Sequence, residues 1–529
     1  MTPATLQRSL EINPHRVGRP RLDPYKRLLS RFYEQLFLLN ALGQTRGSHT
    51  ILSSDVHSSR AQSRRFLQNL CFVCDFKKGG STCTAIGLEE LDTHYNFCVA
   101  SNGETDTIVA FLRTALGDLR ARACPVGMGN IDSELRFTKM CIEFAAERIN
   151  EEKRCLRRYA KHCLSRLSGQ IAASGELPPP IVSCSSRFNG LDLAAWLHTV
   201  MGIDDTYVLC NFAHSDRHSV HMRELERRGT EEEISLDPSK KRSPFALMRH
   251  YIGRLAHHIR APKELMQDTE ELSHILESHA ICPIYAVPAV PTPICDAHTN
   301  LQGVLNRMLK NDRERDKLEE GLLHLNKVAG IFDTFIHQYN GSTRQVHAEV
   351  QILENFWEQQ RSFAGADRFV ASSKPACLCC ELYFQYHPAR VMIFSSHRKI
   401  WTKWSPPNVE RFDRKCPAAT QQRDIVNRMT ENLREQVLSH VFQNATSKQW
   451  HPDSITNITD TRRLSFSSDS IRISYMGVVR TLPSMNLGLY HNRRAIWGKA
   501  EADGSLDTAS DFDDLSDSGN GGVSLSGYT

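Results

Sequence analysis

Residues Val346–Trp404 read VHAEVQILENFWEQQRSFAGADRFVASSKPACLCCELYFQYHPARVMIFSSHRKIWTKW. Apolar residues in the first part of this stretch recur at helical spacing. They predict an amphipathic helix that begins at His347 and whose inner face carries Val350, Leu353 and Trp357. A regular helix with one apolar face has to pack against another layer of the protein, so this stretch belongs to a folded domain.

Two apolar runs and a second helix follow. Arg368–Ser372 predicts a buried strand, a helix begins near Cys377, and Arg390–Ser395 is a continuous apolar run. Continuous runs suit strands covered on both faces, and the order helix–strand–helix–strand favours parallel pairing. The predicted fold class of this part is therefore α/β.

Four side chains of this stretch have the chemistry of a metal site. Cys377 and Cys380 are one helical turn apart, so both sulfurs can reach one ion. The helix start favours their thiolates, and His347 offers an imidazole nitrogen from the same edge of the sheet. Three protein ligands leave the fourth position of a tetrahedral Zn²⁺ for water, which is typical of catalytic zinc. Glu349 lies beside the ligands and is the predicted catalytic proton carrier.

The alternative interpretation of the same residues is a core histidine, a surface glutamate and two buried thiols. It leaves the placement of Pro375 just before the helix start unexplained. Cys379 lies between the two ligand cysteines and should point away from the metal in a helical turn, as a buried or spare thiol.

The ligand residues and their neighbours also resemble a known motif. His347-Ala348-Glu349 with Pro375-Ala376-Cys377-Leu378-Cys379-Cys380 resembles the signature of the cytidine deaminase-like superfamily. The flanking segments resemble the nucleic acid/nucleotide deaminase proteins found widely in fungi, a branch akin to bacterial toxin deaminases; these flanks are Ser373-Lys374, Glu381-Leu382-Tyr383, Ser396–Ile400 and Trp404–Pro407. The resemblance implies a three-layer α/β/α fold and hydrolytic removal of a base amino group as ammonia.

The resemblance also implies a β-hairpin before the His-x-Glu helix. The sequence offers only a short one at Asn340-Gly341, because helical periodicity occupies most of Leu301–Phe335. Pro375 is also one residue further from Cys377 than in the usual Pro-Cys pair.

The rest of the chain predicts helices and two polar ends, at a length of 529 residues that suggests several domains. The predicted division is a disordered basic leader at 1–24, a mainly helical N-terminal region of unknown role at 25–300, a deaminase-like zinc domain at 301–420, a C-terminal helix and extension at 421–498, and a disordered acidic tail at 499–529.

Composition narrows the setting of the protein. No run approaches the roughly 20 apolar residues needed to cross a bilayer, so no membrane partner is expected. The first residues lack the apolar core of a secretory signal. Sixteen cysteines in so long a chain are interpreted as reduced thiols, which predicts an intracellular protein, cytoplasmic or nuclear.

Other clusters carry weaker interpretations. A structural zinc site could be formed by Cys71, Cys74, Cys83, His94 and Cys98. Their irregular spacing favours the alternative, in which the cysteines are buried thiols that pack in a core. The formal charge is +5, and the acidic residues from Glu501 onward leave the remainder more basic.

Basic residues suggest a polyanionic partner. A helix carries a stripe formed by Arg154, Arg157, Arg158 and Lys161, which suits phosphate or a merely solvated face. A second group, Arg398, Lys399, Trp401 and Trp404, suits nucleic-acid stacking or the completion of a core. The pair His257-His258 is expected on a helix surface.

The function predicted from the sequence is a zinc-dependent hydrolytic deaminase that acts on a nucleobase in a nucleotide or nucleic acid. Such an enzyme is a hydrolase of the C–N bonds of cyclic amidines. The first alternative is a non-catalytic interaction protein of deaminase fold in which zinc braces the structure. The second keeps the enzyme but gives it a small metabolite as substrate.

Overall fold

The computed structural model describes residues 22–51, 59–123, 131–174, 190–235, 242–340 without 292 and 294, 343–442 and 451–454. Its helices are α1 Pro24–Ala41, α2 Ser59–Cys74, α3 Thr105–Ala123, α4 Ile131–Phe144, α5 Ala146–Ser174, α6 Gly190–Gly202, α7 Thr206–Asp216, α8 Val220–Ser235, α9 Pro244–Asp268, α10 Ser273–Glu277, α11 Leu301–Met308, α12 Asp312–Ala329, α13 Ile331–His337, α14 Ala348–Glu358, α15 Leu378–Tyr386 and α16 Pro417–Phe442. Its strands are β1 Thr50–Ile51, β2 Thr84–Glu90, β3 Tyr95–Ser101, β4 His279–Ile284, β5 Phe369–Ser372, β6 Met392–Ile393 and β7 Ser395–Ser396.

A mixed five-stranded sheet in the order β4-β3-β2-β5-β6 organises the fold. The outer pairs β3–β4 and β5–β6 are parallel, whereas β2 runs antiparallel to both β3 and β5. Since β3, β4, β5 and β6 all point the same way, their carboxyl ends lie at one edge of the sheet. A separate two-stranded ladder pairs β1 with β7 in antiparallel register.

The sheet is covered on both faces, because successive side chains of a strand point to opposite sides. Ala85, Cys98 and Val370 face the core that α1, α14, α15 and α16 share. Their neighbours Ile86 and Phe97 face a second core with α2, α3 and α9. The architecture is therefore the α/β/α arrangement predicted for the fold class, and the prediction is confirmed.

Gly87 lets the site-bearing helix α14 lie close to the sheet. A Cβ at this position would come within 2.7 Å of the Phe356 ring and 2.8 Å of Ile352. Real side chains do not tolerate such distances, so any larger residue in the middle of β2 would push α14 outward.

The mainly helical region between β3 and β4 is also as predicted, and part of it has a core of its own. Residues from α5, α6, α7, α8 and α9 form this third core. At the boundary with the second core, the buried Glu152 carboxylate accepts hydrogen bonds from Arg148 at 3.1 Å and Arg254 at 2.9 Å, and meets His258 at 3.2 Å. These contacts connect α5 with α9 through buried charge.

Two local expectations are wrong. Trp357 does not belong to the inner face of α14: it is 43% exposed, and its Nε1 donates to Gln421 of α16. His258 does not lie on a helix surface, because its ring is only 4% exposed and packs beside Glu152. In both cases the helix is covered on a side that its apolar periodicity alone does not indicate.

The strand boundaries differ more modestly from the prediction. β5 occupies the predicted position at Phe369–Ser372 and pairs in parallel with β6 as expected. The apolar run at 390–395 forms only the two-residue β6 and one residue of β7, because the chain changes partner from β5 to β1 within it.

The hairpin implied by the resemblance lies far upstream in the chain. It is formed by β2 and β3, at 84–101, and not by Asn340-Gly341. Asn340 ends a 3-10 turn, and Gly341 lies outside the described residues. The sheet that carries α14 and α15 thus takes three of its strands from the region 25–300, and the division of the chain at 301 and 420 stays a prediction.

Most of the predicted disordered leader at 1–24 and all of the tail at 499–529 lie outside the described residues. Within the described ranges, no helix is both long enough and apolar enough to cross a membrane. The described cysteines are all free thiols.

Candidate metal centre

The starts of two helices meet at the carboxyl edge of the sheet. His347 is the residue immediately before α14, and Cys377 immediately precedes α15. Asn102, the residue after β3, fixes the first of these starts: its Oδ1 accepts the backbone N–H of Ala348 at 2.8 Å, and its Nδ2 donates to the Gly80 carbonyl at 2.8 Å. The hairpin therefore positions the beginning of α14.

His347, Cys377 and Cys380 come together in space, and their ligand atoms all lie within 4.8 Å of one another. The Nδ1 of His347 is 3.6 Å from the Cys377 sulfur and 3.4 Å from the Cys380 sulfur. His347 is 30 positions before Cys377 and 33 before Cys380 along the chain, so only the fold brings the imidazole to the two thiols.

These distances fit a zinc ion. Zinc–sulfur bonds of about 2.3 Å and zinc–nitrogen bonds of about 2.0–2.1 Å at tetrahedral angles place sulfur and nitrogen roughly 3.6 Å apart. The donor set of one imidazole and two thiols is also one that zinc prefers. Among the described residues this is the one cluster with ligand spacing, and its residues are suited to hold Zn²⁺.

The surroundings favour the deprotonated ligand at Cys377. Burial raises the pKa of a thiol, but hydrogen bonding with Cys380 and the neighbouring His347 hold the pKa of Cys377 well below its usual value. The backbone N–H of Cys380 points to this sulfur at 3.4 Å. A thiolate is the form of cysteine that binds metal.

Trp404 supports the second sulfur ligand. Its indole Nε1 donates to the Cys380 sulfur at 3.3 Å, and its side chain is fully buried against Phe32 and Tyr383. Groups that donate to a metal ligand orient it and tune the charge on it. The interpretation of Trp404 as a core residue is therefore correct, but the sequence did not reveal that its indole also contacts a candidate metal ligand.

Glu349 is buried two residues after His347 and is not one of the three clustered ligands. Its Oε2 has no hydrogen-bond partner among the described residues. Burial raises the pKa of this carboxyl, and the nearby His347 partly opposes that rise. A buried carboxylate oxygen without a partner can accept a hydrogen bond from a group of a bound ligand.

Other candidate residues stay apart from the cluster. Cys379 is fully buried between the two ligand cysteines and does not belong to the cluster, as expected for a packing thiol. The four upstream cysteines that suggested a second zinc site are buried free thiols; they are Cys71, Cys74, Cys83 and Cys98. This arrangement agrees with the preferred interpretation of packing residues.

The basic residues largely meet acidic partners of the chain itself. In the stripe on α5, Arg154 pairs with Glu151 at 2.8 Å and Arg157 pairs with Asp204 at 2.7 Å. In the second basic group, Lys399 forms a buried ion pair with Asp453. Neither group offers a row of free cations.

Two contributors to the site were missing from the sequence interpretation, namely Asn102 and the strands β2 and β3. A hairpin signal does exist at 84–101, where two runs of apolar residues flank Asp92-Thr93-His94. Its distance of more than 200 residues from His347 hid its connection to the site.

Fold and cluster together define a class: an α/β/α deaminase-like domain with a three-ligand centre of metal-binding type. A family model described as OTT_1508-like deaminase matches residues 346–408. The match spans α14, β5, α15 and the loop through Trp404, and it supports membership of a deaminase family for this part of the chain. No curated protein and no solved structure matches the chain.

Proposed function

We propose that the protein is a zinc-dependent hydrolytic deaminase that acts on a nucleobase carried by a nucleotide or a nucleic acid. The observation that carries the proposal is the buried carboxylate of Glu349 beside the cluster of His347, Cys377 and Cys380, because its Oε2 has no hydrogen-bond partner among the described residues. The deaminase family match to residues 346–408 supports the same class of reaction.

In this proposal, His347 and the thiolates of Cys377 and Cys380 hold the metal. Bound zinc supplies Lewis-acid activation of a water molecule. Glu349 accepts a proton from the attacking water and later delivers it to the departing amine, so that water and a ring amine yield a ring carbonyl and ammonia. Its shielded position excludes bulk water, which keeps the proton available for the leaving group.

A purely structural zinc is the competing function. Structural zinc sites are usually closed by four protein ligands, whereas the described cluster supplies three. A bracing site also gives no reason to bury a carboxylate oxygen without a hydrogen-bond partner at its side. Both observations favour the enzyme.

The test combines metal analysis with an ammonia-release screen across nucleosides, nucleotides, single-stranded DNA and RNA. Glu349→Ala should retain the zinc content of the wild type and lose roughly 100-fold to 10,000-fold of its activity, because one general acid–base group contributes about that much. Glu358→Ala is the matched control, since Glu358 lies exposed at the end of the same helix.

Equal turnover by the wild type and Glu349→Ala would remove the proposed mechanism. Full-length protein without bound metal under reducing, zinc-replete conditions would remove the metal centre as well.

A further inference from the structure

A cavity of about 420 Å³ lies at the same edge of the sheet as the metal-binding cluster. Its walls come from two segments, 286–291 after β4 and 343–346 directly before His347. β4 ends beside β3, and the residue after β3 holds the start of α14, so both walls belong to the surroundings of the site. Ligand pockets of proteins occupy roughly 300–1,000 Å³, and this cavity is within that range.

Arg344 gives the cavity its chemical character. It is the one ionisable residue among the described residues of the lining, and it is only 5% exposed. Its guanidinium lies over the rings of Tyr33 at 4.3 Å and Phe37 at 5.0 Å, and Nη1 donates to the carbonyl of Thr402. Nε and Nη2 have no hydrogen-bond partner among the described residues.

No carboxylate of the described ranges forms an ion pair with Arg344 in the structure, which is unusual for a buried cation. The half-buried Arg64 of α2, which lies over the Phe369 ring of β5, behaves differently: it binds Asp367 through two hydrogen bonds, at 2.8 and 2.5 Å. Arginine stays charged in proteins, so the positive charge at the cavity wall persists. The missing partner of Arg344 is therefore an anion that the described residues do not supply.

We propose that this cavity binds the phosphate of the substrate and that Arg344 recognises it. The guanidinium offers two donors, Nε and Nη2, in the fork geometry that matches a phosphate. The weak screening of the interior strengthens the attraction. The assignment of this anion to the substrate rests on the proposed deaminase function. A phosphate site of this kind would select phosphate-bearing compounds over free bases and nucleosides.

The first arm of the test measures binding without catalysis. Inorganic phosphate, at constant ionic strength, is titrated into the full chain and into Arg344→Gln and Arg64→Gln, with zinc content measured in each. Loss of a charge-assisted hydrogen bond predicts roughly tenfold to hundredfold weaker binding in Arg344→Gln. Arg64→Gln should bind as the wild type does, because Arg64 of α2 is already paired with Asp367, which lies just before β5 at the opposite edge of the sheet.

Arg344→Lys guards against a folding defect, because it retains the charge and loses the fork. It should bind phosphate more weakly than the wild type and more tightly than Arg344→Gln. Phosphate binding that is absent from the wild type, or equal in the wild type and Arg344→Gln, would overturn the proposal.

The second arm separates this inference from the proposed function. Nucleoside 5′-monophosphates, the matching nucleosides and single-stranded oligonucleotides are compared for ammonia release and for binding. Preference for monophosphates or for oligonucleotides, lost in Arg344→Gln, supports a phosphate site and tells which source supplies the phosphate. Ammonia release that is equal for nucleosides and phosphate-bearing compounds, and unchanged in Arg344→Gln, overturns the phosphate site and retains the deaminase. Arg344-dependent phosphate binding without ammonia release retains the anion site and removes the proposed function.

Discussion

Glu152 and Glu349 are both buried glutamates on helices of the same chain, yet their surroundings differ. The carboxylate of Glu152 is contacted by Arg148, Arg254 and His258. The carboxylate of Glu349 lies beside the metal-binding cluster and keeps one oxygen without a partner among the described residues. One carboxylate is saturated by the protein, and the other is left incomplete.

The difference separates charges that connect helices from charges that receive ligands. Burying an ionised group is costly unless partners replace the lost water. Around Glu152 the fold supplies those partners, which makes the group part of the structure. Around Glu349 and Arg344 the described residues supply only some of these partners, so part of the cost remains until something binds. The comparison predicts opposite responses to substitution in the two regions.

The largest effect is expected at Glu152. Glu152→Gln removes the buried charge that Arg148 and Arg254 share, and removing one partner of a buried ion pair costs about 3–5 kcal/mol in the free energy of unfolding. Urea denaturation measures the loss. Glu151→Gln is the control: it removes a surface pair with Arg154 and should cost less than about 1 kcal/mol. Similar costs for the two variants would contradict the distinction.

The same carboxylate has a pH signature. Burial tends to raise the pKa of Glu152, but the charges of Arg254, His258 and Arg148 hold it well below its usual value. Because this pKa is lowered on folding, the extra stability of the wild type over Glu152→Gln is present above the unfolded pKa of about 4.3 and declines as the pH falls below it. An unchanged difference in this range would show that the carboxylate is not paired in solution.

A smaller effect is expected at the metal centre from Trp404→Phe. The substitution removes the N–H that donates to the Cys380 sulfur and keeps most of the buried ring. Loss of such a supporting contact weakens metal affinity by about tenfold to 100-fold, and competition with a chelator measures it. Phe97→Leu is the control for core packing on the other face of the sheet. Equal zinc affinities of Trp404→Phe and wild type would show that the indole only packs.

The smallest effect is expected for Glu349→Gln without metal. The change in its free energy of unfolding should have the opposite sign to that of Glu152→Gln. Replacing a buried carboxylate that has one oxygen without a partner by a neutral amide removes a desolvation cost, so the stability should stay level or rise by about 1 kcal/mol. The measurement is urea denaturation of both proteins after removal of metal. A loss of stability comparable with that of Glu152→Gln would place Glu349 among the structural charges and end the contrast.

Local patterns predicted the elements next to the site well. The helix after His347, the buried strand at Phe369–Ser372 and the helix start at Cys377 depend on periodicity and on short-range spacing, which a sequence displays directly. The position of the exposed Trp357 was predicted wrongly because it depends on a helix that is distant in the sequence. Which flank of α14 receives a neighbouring helix is decided by α16, about 60 residues later.

The sequence by itself determined the α/β class of the C-terminal half and the chemistry of the candidate ligands. Three features were decided only by the tertiary structure. They are the pairing of β2 with β5, the contact of Asn102 with Ala348, and the two guanidinium nitrogens of Arg344 that lack a partner among the described residues. The physical reason is distance along the chain: side-chain type and periodicity are local, whereas burial, partnership and the lack of a partner depend on residues hundreds of positions away.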